Sequence, residues 1–195
     1  MVLFNKYRKY SLRNAYEVLH KYATNNEAVV VNLDADDWLI DNEVLGYLAD
    51  VYRRHPSLLL TYGECVFWNG KGLSLPSRFL KPYTNCAYPK SIVSLNQYRI
   101  FPFLPLHPRT WKVSLFKKIK RQDFLRPDQT WLQFAEDQAI FYPMLEIVEG
   151  NFKVLKRPLY VYNVATKESD VKKNIVGLLH DELIIRKKSC YEPLT

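Results

Sequence analysis

The chain has 195 residues, 48% of them hydrophobic and 25% charged, which suits a globular protein able to bury a core and excludes a disordered tail. No apolar run approaches the ~18 residues needed to cross a bilayer. The basic, aromatic stretch from Met1 to Tyr10 lacks the apolar segment of a signal peptide, so a soluble, cytoplasmic protein is expected.

The net charge of +8 favours polyanionic partners: nucleic acid, acidic lipid or a phosphorylated small molecule. The basic residues are scattered, with concentrations at Lys6 to Lys9, at Lys117-Lys118 with Lys120-Arg121, and at Arg186 to Lys188. They make no continuous nucleic-acid-binding arm, and solvated helix faces account for most of them. Cys65, Cys86 and Cys190 are odd in number, far apart and without CxxC spacing, so three free thiols are expected rather than a disulfide framework or a zinc knuckle.

From Ser11, a candidate N-cap, the residues Leu12, Ala15, Val18, Leu19 and Tyr22 recur at helical spacing, predicting a helix to about Ala23. The apolar run Ala28 to Leu33 predicts a buried strand, and it leads into Asp34-Ala35-Asp36-Asp37, three carboxylates in four residues. Like charges at a strand end repel and lose solvation, which is tolerable if a divalent cation or a donor-rich ligand neutralises them. An acidic turn capping the next helix is the structural alternative.

Val44, Leu45, Leu48, Val51 and Tyr52 mark a second helix, ended by His55-Pro56 because the residue before a proline is pushed out of the helical region. Ser57 to Tyr62 predicts another strand, and helices alternating with strands give an α/β sheet, parallel where helices cross over. The segment from Gly63 to Pro105 carries five prolines and little periodicity. A hairpin is expected at Trp68-Asn69-Gly70-Lys71-Gly72, and the remainder as a substrate-shaping surface or a loop.

After His107-Pro108-Arg109-Thr110-Trp111, the residues Val113, Leu115, Phe116 and Ile119 predict a short helix. Phe134-Ala135-Glu136-Asp137 opens a further helix with Ala139, Ile140, Pro143, Met144 and Ile147 on one face, and the helix dipole favours Glu136 and Asp137 in its first turn without any catalysis. Phe152 to Leu155 and Leu159 to Tyr162 predict two strands across Pro158. A basic amphipathic helix is expected from about Asp170 to Arg186. With no repeat or linker, residues 1–195 parse as one domain with an irregular middle.

The strand ending in Leu33-Asp34-Ala35-Asp36-Asp37-Trp38-Leu39 and the later Ala135-Glu136-Asp137 at a helix start together resemble family 2 glycosyltransferases of the GT-A fold. The similarity extends through Leu60-Thr61-Tyr62-Gly63, His107-x-Arg109-Thr110-Trp111, Tyr142-Pro143-Met144-Leu145-Glu146, Leu159-Tyr160-Val161-Tyr162-Asn163 and Ile185-Arg186. The resemblance implies an incomplete GT-A, Rossmann-like mixed sheet flanked by helices, and a metal-dependent inverting transfer of sugar from a nucleoside diphosphate sugar to a glycan or other hydroxyl acceptor. Asp36 resembles the direct ligand of Mn²⁺ or Mg²⁺, and Asp34 the residue contacting ribose or a metal-bound water. Asp37 helps the metal or caps the following helix. Asp137 resembles the catalytic base, with Glu136 beside it as a donor-orienting or acceptor-binding group. His107 and Arg109 lie in the acceptor-side segment, where the histidine binds metal or diphosphate, or is structural, and the arginine is a cofactor-binding candidate or pairs with a carboxylate. Tyr62, Trp68, Trp111 and Trp131 stack on sugar faces or pack in the core.

The chemistry suits these residue types, since carboxylate oxygens hold a hard cation that stabilises a leaving diphosphate, and a carboxylate across the cleft accepts the proton of the attacking hydroxyl. The family's domain begins with further α/β units, on the order of 60 to 90 residues, ahead of the helix with which this sequence starts. Without them the sheet exposes an edge and the nucleoside pocket lacks a wall. A partner chain or homo-oligomer completes the site, or the chain is a truncated product or a non-catalytic binding module. A nucleic-acid enzyme would also use acids, yet no nucleic-acid module is recognisable and no such partner is expected.

Overall fold

The computed structural model describes residues 2–74, 87–166 and 173–194. Helix α1 (Tyr10–Lys21) leads to strand β1 (Val29–Asn32), a short β2 (Trp38–Leu39), helix α2 (Val44–Arg54) and the long β3 (Leu60–Trp68). After β4 (Leu73–Ser74) come helix α3 (Lys90–Ser94), a 3-10 turn (Tyr98–Ile100), strand β5 (Leu106–Lys112) and helix α4 (Val113–Phe116). A second 3-10 turn (Arg121–Phe124), helix α5 (Glu136–Val148), strand β6 (Phe152–Asn163) and helix α6 (Ile175–Lys187) complete the order.

The strands form one mixed sheet in the order β1-β5-β3-β6-β2, with β4 paired to β3. β3 and β6 are parallel, whereas β5 runs antiparallel between β1 and β3. The architecture is the α/β class expected, and it fits an incomplete Rossmann-like fold. Along β1, Val30 packs into the larger core, built on Leu60, Trp111, Phe116, Ile140 and Ile185, while Val29 and Val31 pack against the smaller one, built on Val44, Leu48, Leu155 and Leu159. That alternation is the period of two of a strand covered on both faces. No helix among the described residues is long and apolar enough to cross a membrane.

Several local expectations change. Ser11 lies inside the first turn of α1 and does not cap it, because the helix begins at Tyr10 with Lys9 at the cap position. The strand expected at Ser57 to Tyr62 starts at Leu60 and runs to Trp68, held along its length by β6. The hairpin at Asn69 forms: Gly70 takes a φ of +90°, and the Asn69 side chain accepts from the amides of Lys71 and Gly72. Residues 75–86 of the irregular stretch, including Cys86, lie outside the described residues, as do residues 167–172, where the last helix was expected to start.

Leu106 to Lys112, which carried no strand expectation, is a strand. α5 is buried on all sides rather than along one face, since Phe141, Tyr142, Leu145 and Glu146 are as enclosed as Ala139 and Met144. The two strands expected around Pro158 are one strand whose register with β3 shifts there, because a proline cannot donate to the ladder. The left-handed residues Glu149 and Gly150, with φ of 45° and 81°, turn α5 into it.

A buried ion pair ties the C-terminal helix to the core. Arg99 donates to Glu146 through Nε at 2.5 Å and Nη2 at 2.8 Å, and its Nη1 donates to the Ile185 carbonyl at 2.6 Å. Arg99 and Glu146 are 4% and 0% exposed, so neither charge has water as an alternative partner. Removing one partner strands the other charge. Glu146→Ala is expected to lower unfolding free energy by about 3–5 kcal/mol, measured by urea denaturation.

Candidate functional site

The acidic turn after β1 treats its three carboxylates differently. The Asp37 amide donates to the Asp34 carbonyl at 3.2 Å, closing the turn. The Asp37 carboxylate points away from solvent: Oδ2 accepts from the Tyr160 hydroxyl and Oδ1 from the Asn163 amide, each at 2.7 Å. The same Tyr160 hydroxyl accepts from the Asp34 amide at 3.1 Å. Both oxygens of Asp37 thus bind β6, and Asp37 does not cap the next helix, whose cap position is Glu43. Asp34 and Asp36 are left on the cleft side.

Burial first, then the charges of Asp37, Asp137 and Asp36, push the Asp34 carboxyl above its ordinary range, with Arg109 opposing. Asp36 is exposed.

The opposite wall is the N-terminus of α5. Ala135, at φ 53°, turns the chain sharply into the helix. The two residues before it are held by Asp181 of α6, which is fully buried and accepts from the amides of Gln133 at 2.9 Å and Phe134 at 3.1 Å. Arg126 completes that anchor with two bonds to the same carboxylate, at 2.7 and 2.8 Å. Although burial opposes ionisation, Arg126 and the two amides hold Asp181 below the usual carboxylate range.

At the helix start, Asp137 Oδ2 accepts from Arg109 Nη2 at 3.0 Å and Oδ1 accepts from the Gln138 amide at 2.7 Å. Arg109 also donates from Nε to the Pro105 carbonyl at 3.0 Å, and its guanidinium lies over Phe103 and Phe141.

Strand β5 brings His107 and Arg109 to the same place. Its register with β3 slips between Thr61 and Gly63, a bulge that re-aims the side chains around Pro108. His107 is buried, stacked on Tyr160 at 4.4 Å between centroids, with Nε2 3.7 Å from Asp34 Oδ2. Burial, then the Arg109 charge, hold its imidazole neutral, and Nδ1 has no hydrogen-bond partner among the described residues.

Asp34, Asp36, His107, Arg109, Glu136 and Asp137 all line one cleft of about 700 Å³, walled further by Phe67, Phe103, Tyr162 and Leu178. A smaller, more apolar cavity of about 330 Å³ under α1 meets it at Asp34, Glu136 and Asp137. The aromatic candidates lie elsewhere: Tyr62 and Trp111 are buried in the core, Trp68 packs on Trp38, and Trp131 lies between Arg13 and Arg121.

Among the described residues no group of three or more His, Cys, Asp or Glu side chains is gathered into a metal cage. Mg²⁺-type ions are commonly held by one or two carboxylates together with substrate phosphates, and Asp34 and Asp36 offer hard oxygens of that kind. Burial, with the lesser repulsion from Asp37, Asp137 and Asp36, raises Asp34, and a cation would offset both. No model of a known family matches the sequence, and no curated protein matches it.

Tyr160, Asn163, Arg126 and Asp181 were not among the sequence candidates. Tyr160 and Asn163 lie in the Leu159-Tyr160-Val161-Tyr162-Asn163 segment of the resemblance, and the Tyr160-x-Tyr162 alternation puts both tyrosines on one strand face, since residues two apart on a strand share a face.

Two expectations follow from this geometry. Tyr160→Phe removes both hydroxyl bonds and leaves a part-buried carboxylate underpaired. It should cost about 1–3 kcal/mol in urea denaturation and speed hydrogen exchange at the Asp34 amide. Burial first, then the Asp137 charge, push Glu136 up to about 7 from 4.5. In that interval the folded state holds a proton that the unfolded chain has released, so stability falls as pH rises. Glu136→Gln stays neutral and should flatten the decline in urea midpoint between about pH 5 and pH 7.

Proposed function

We propose that the chain is a metal-assisted, inverting glycosyltransferase domain, transferring a sugar from a nucleoside diphosphate sugar to a hydroxyl acceptor. The supporting observation is the convergence of Asp34 and Asp36 with Glu136 and Asp137 on one cleft, from a strand end and a helix start about a hundred residues apart in the sequence. Asp34 and Asp36 would hold Mn²⁺ or Mg²⁺, with neutral His107 beside Asp34. When bound, that ion supplies positive charge for the departing diphosphate.

Asp137 accepts the proton of the acceptor hydroxyl as its oxygen bonds to the anomeric carbon. The bond from that carbon to the diphosphate oxygen breaks, and its electron pair leaves with the diphosphate. Attack opposite the leaving group inverts the anomeric centre. Arg109, with Nε and Nη2 committed to Pro105 and Asp137, orients the base, and its charge faces the developing anion. Glu136, its carboxyl pushed up to about 7 by burial and the Asp137 charge, is suited in its protonated form to donate to a sugar or acceptor oxygen. Phe67, Phe103 and Tyr162 offer apolar faces to the sugar. The compartment proposed is the cytoplasm.

A partner-completed or non-catalytic form of the module is the second reading. It is favoured by β1, which pairs with β5 alone among the described residues and borders the apolar cavity under α1. That outer edge, unpaired among the described residues, would take another strand from a partner chain or a second copy.

Calorimetric titration with Mn²⁺ and a panel of nucleotide sugars separates the two. Metal-dependent donor binding by the isolated chain is expected, and no binding by a folded chain would remove autonomous donor recognition. Asp137→Asn should lower transfer at least about 10²-fold while leaving the donor dissociation constant unchanged.

A further inference from the structure

Helix α6 has two apolar faces. Its inward side packs Asp181 and Ile185 into the protein, both buried, and sets Leu178 on the cleft wall. Its outward side carries Ile175, Val176, Leu179 and Leu183, which are 45%, 76%, 51% and 57% exposed. At helical spacing these four cover roughly a third of the circumference along about 12 Å of axis. Single exposed aliphatics are ordinary on protein surfaces, but four gathered on one helix face mark a contact surface.

Ile100, 78% exposed, lies at the same end of the helix as Arg186. Arg186 Nη1 donates to the carbonyls of Arg99 and Phe101 and so holds the Ile100 turn against α6.

The charge around this stripe selects its partner. Lys173 and Lys187 are exposed beside it, and His180, also exposed, has Nδ1 3.4 Å from Asp181 Oδ1. The acids of the helix are neutralised locally: Glu182 by Arg186 at 2.9 Å and buried Asp181 by Arg126 at 2.7 Å. The chain as a whole carries +8. A second copy would bring the same charge to the same face, and the contact would work against that repulsion. An anionic bilayer supplies both an apolar layer for the aliphatic stripe and phosphates for the lysines.

With no membrane-crossing helix among the described residues, the fitting mode is a helix lying along the surface. We infer that the outward face of α6 docks on an anionic lipid surface, with Ile175, Val176, Leu179 and Leu183 entering the headgroup region. Because Leu178 on the other side of the helix lines the cleft, docking sets the cleft within about one helix diameter, ~10 Å, of the lipid. The inference stands on surface chemistry and does not depend on the transferase proposal.

Sedimentation of the full chain with vesicles tests it, using phosphatidylcholine alone and an equal mixture of phosphatidylcholine and phosphatidylglycerol. The expected result is binding to the mixed vesicles that weakens with added salt, and little binding to the neutral ones. Leu179→Glu combined with Leu183→Glu should lower the partition coefficient at least about tenfold. Lys187→Glu should lower it about fivefold. All three positions are exposed, so circular dichroism and Tm should stay at the wild-type values.

Absence of binding to the mixed vesicles would overturn the inference, as would binding that the double variant leaves unchanged. A concentration-dependent dimer abolished by the same double variant, without vesicle binding, would assign the stripe to self-association instead.

Discussion

The hydroxyl of Tyr160 connects the acidic turn to the body of the sheet. It accepts the Asp34 amide and donates to the Asp37 carboxylate, from a residue that is itself fully buried in β6. Three carboxylates in four residues would otherwise repel one another into a loose turn. The fold separates them by environment: Asp37 is drawn inward and bonded twice, Asp34 is half-buried with an elevated proton affinity, and Asp36 faces water. Two carboxylates thereby remain available to a ligand, on a backbone that the third holds still.

The second acidic pair is held by the same strategy from another part of the chain. Asp181 binds the amides just ahead of Glu136 and is itself gripped by Arg126, so the strained entry at Ala135 is supported by a buried charge-assisted network. Arg109, delivered by the bulge in β5, stands between the two pairs. Its charge opposes the upward shift of both Asp34 and Glu136 while it binds Asp137 directly. The stacked, neutral His107 fills the remaining side of the turn and keeps a buried Nδ1 without a protein partner among the described residues.

Helices α1 and α2 and strand β1 were legible in the sequence because their apolar spacing is local and the chain order supplies their boundaries. β5 was not, since Pro105 and Pro108 flank and interrupt it and its pairing depends on β1 and β3 rather than on its own propensity. α5 was legible as a helix with one apolar face, on which Pro143 lies, but not as one buried on every side, because nothing local shows that the charged Glu146 is enclosed. Glu146 is in fact neutralised by Arg99, a partner 47 residues earlier in the chain. The break expected at Pro158 became a shift of register within one strand, as the neighbouring β3 continues past it.

Among the site residues, acid spacing marked the Asp34-Asp36-Asp37 turn as a candidate ligand site, whereas Glu136 and Asp137 became site candidates only through the family resemblance, which offered alternatives for Asp37 without choosing between them. Local patterning determined where the strand ends, where the helix starts and which side chains could carry charge at those points. Only the tertiary structure decided which carboxylates face the cleft. It tied Asp37 to Tyr160 and Asn163, and Asp137 to Arg109, and it placed neutral His107 against the acidic turn. The physical reason is distance along the chain: Tyr160, which orients both Asp34 and Asp37, lies 126 residues from the first and 123 from the second, and a hydrogen bond between remote segments leaves no periodicity for a single sequence to display.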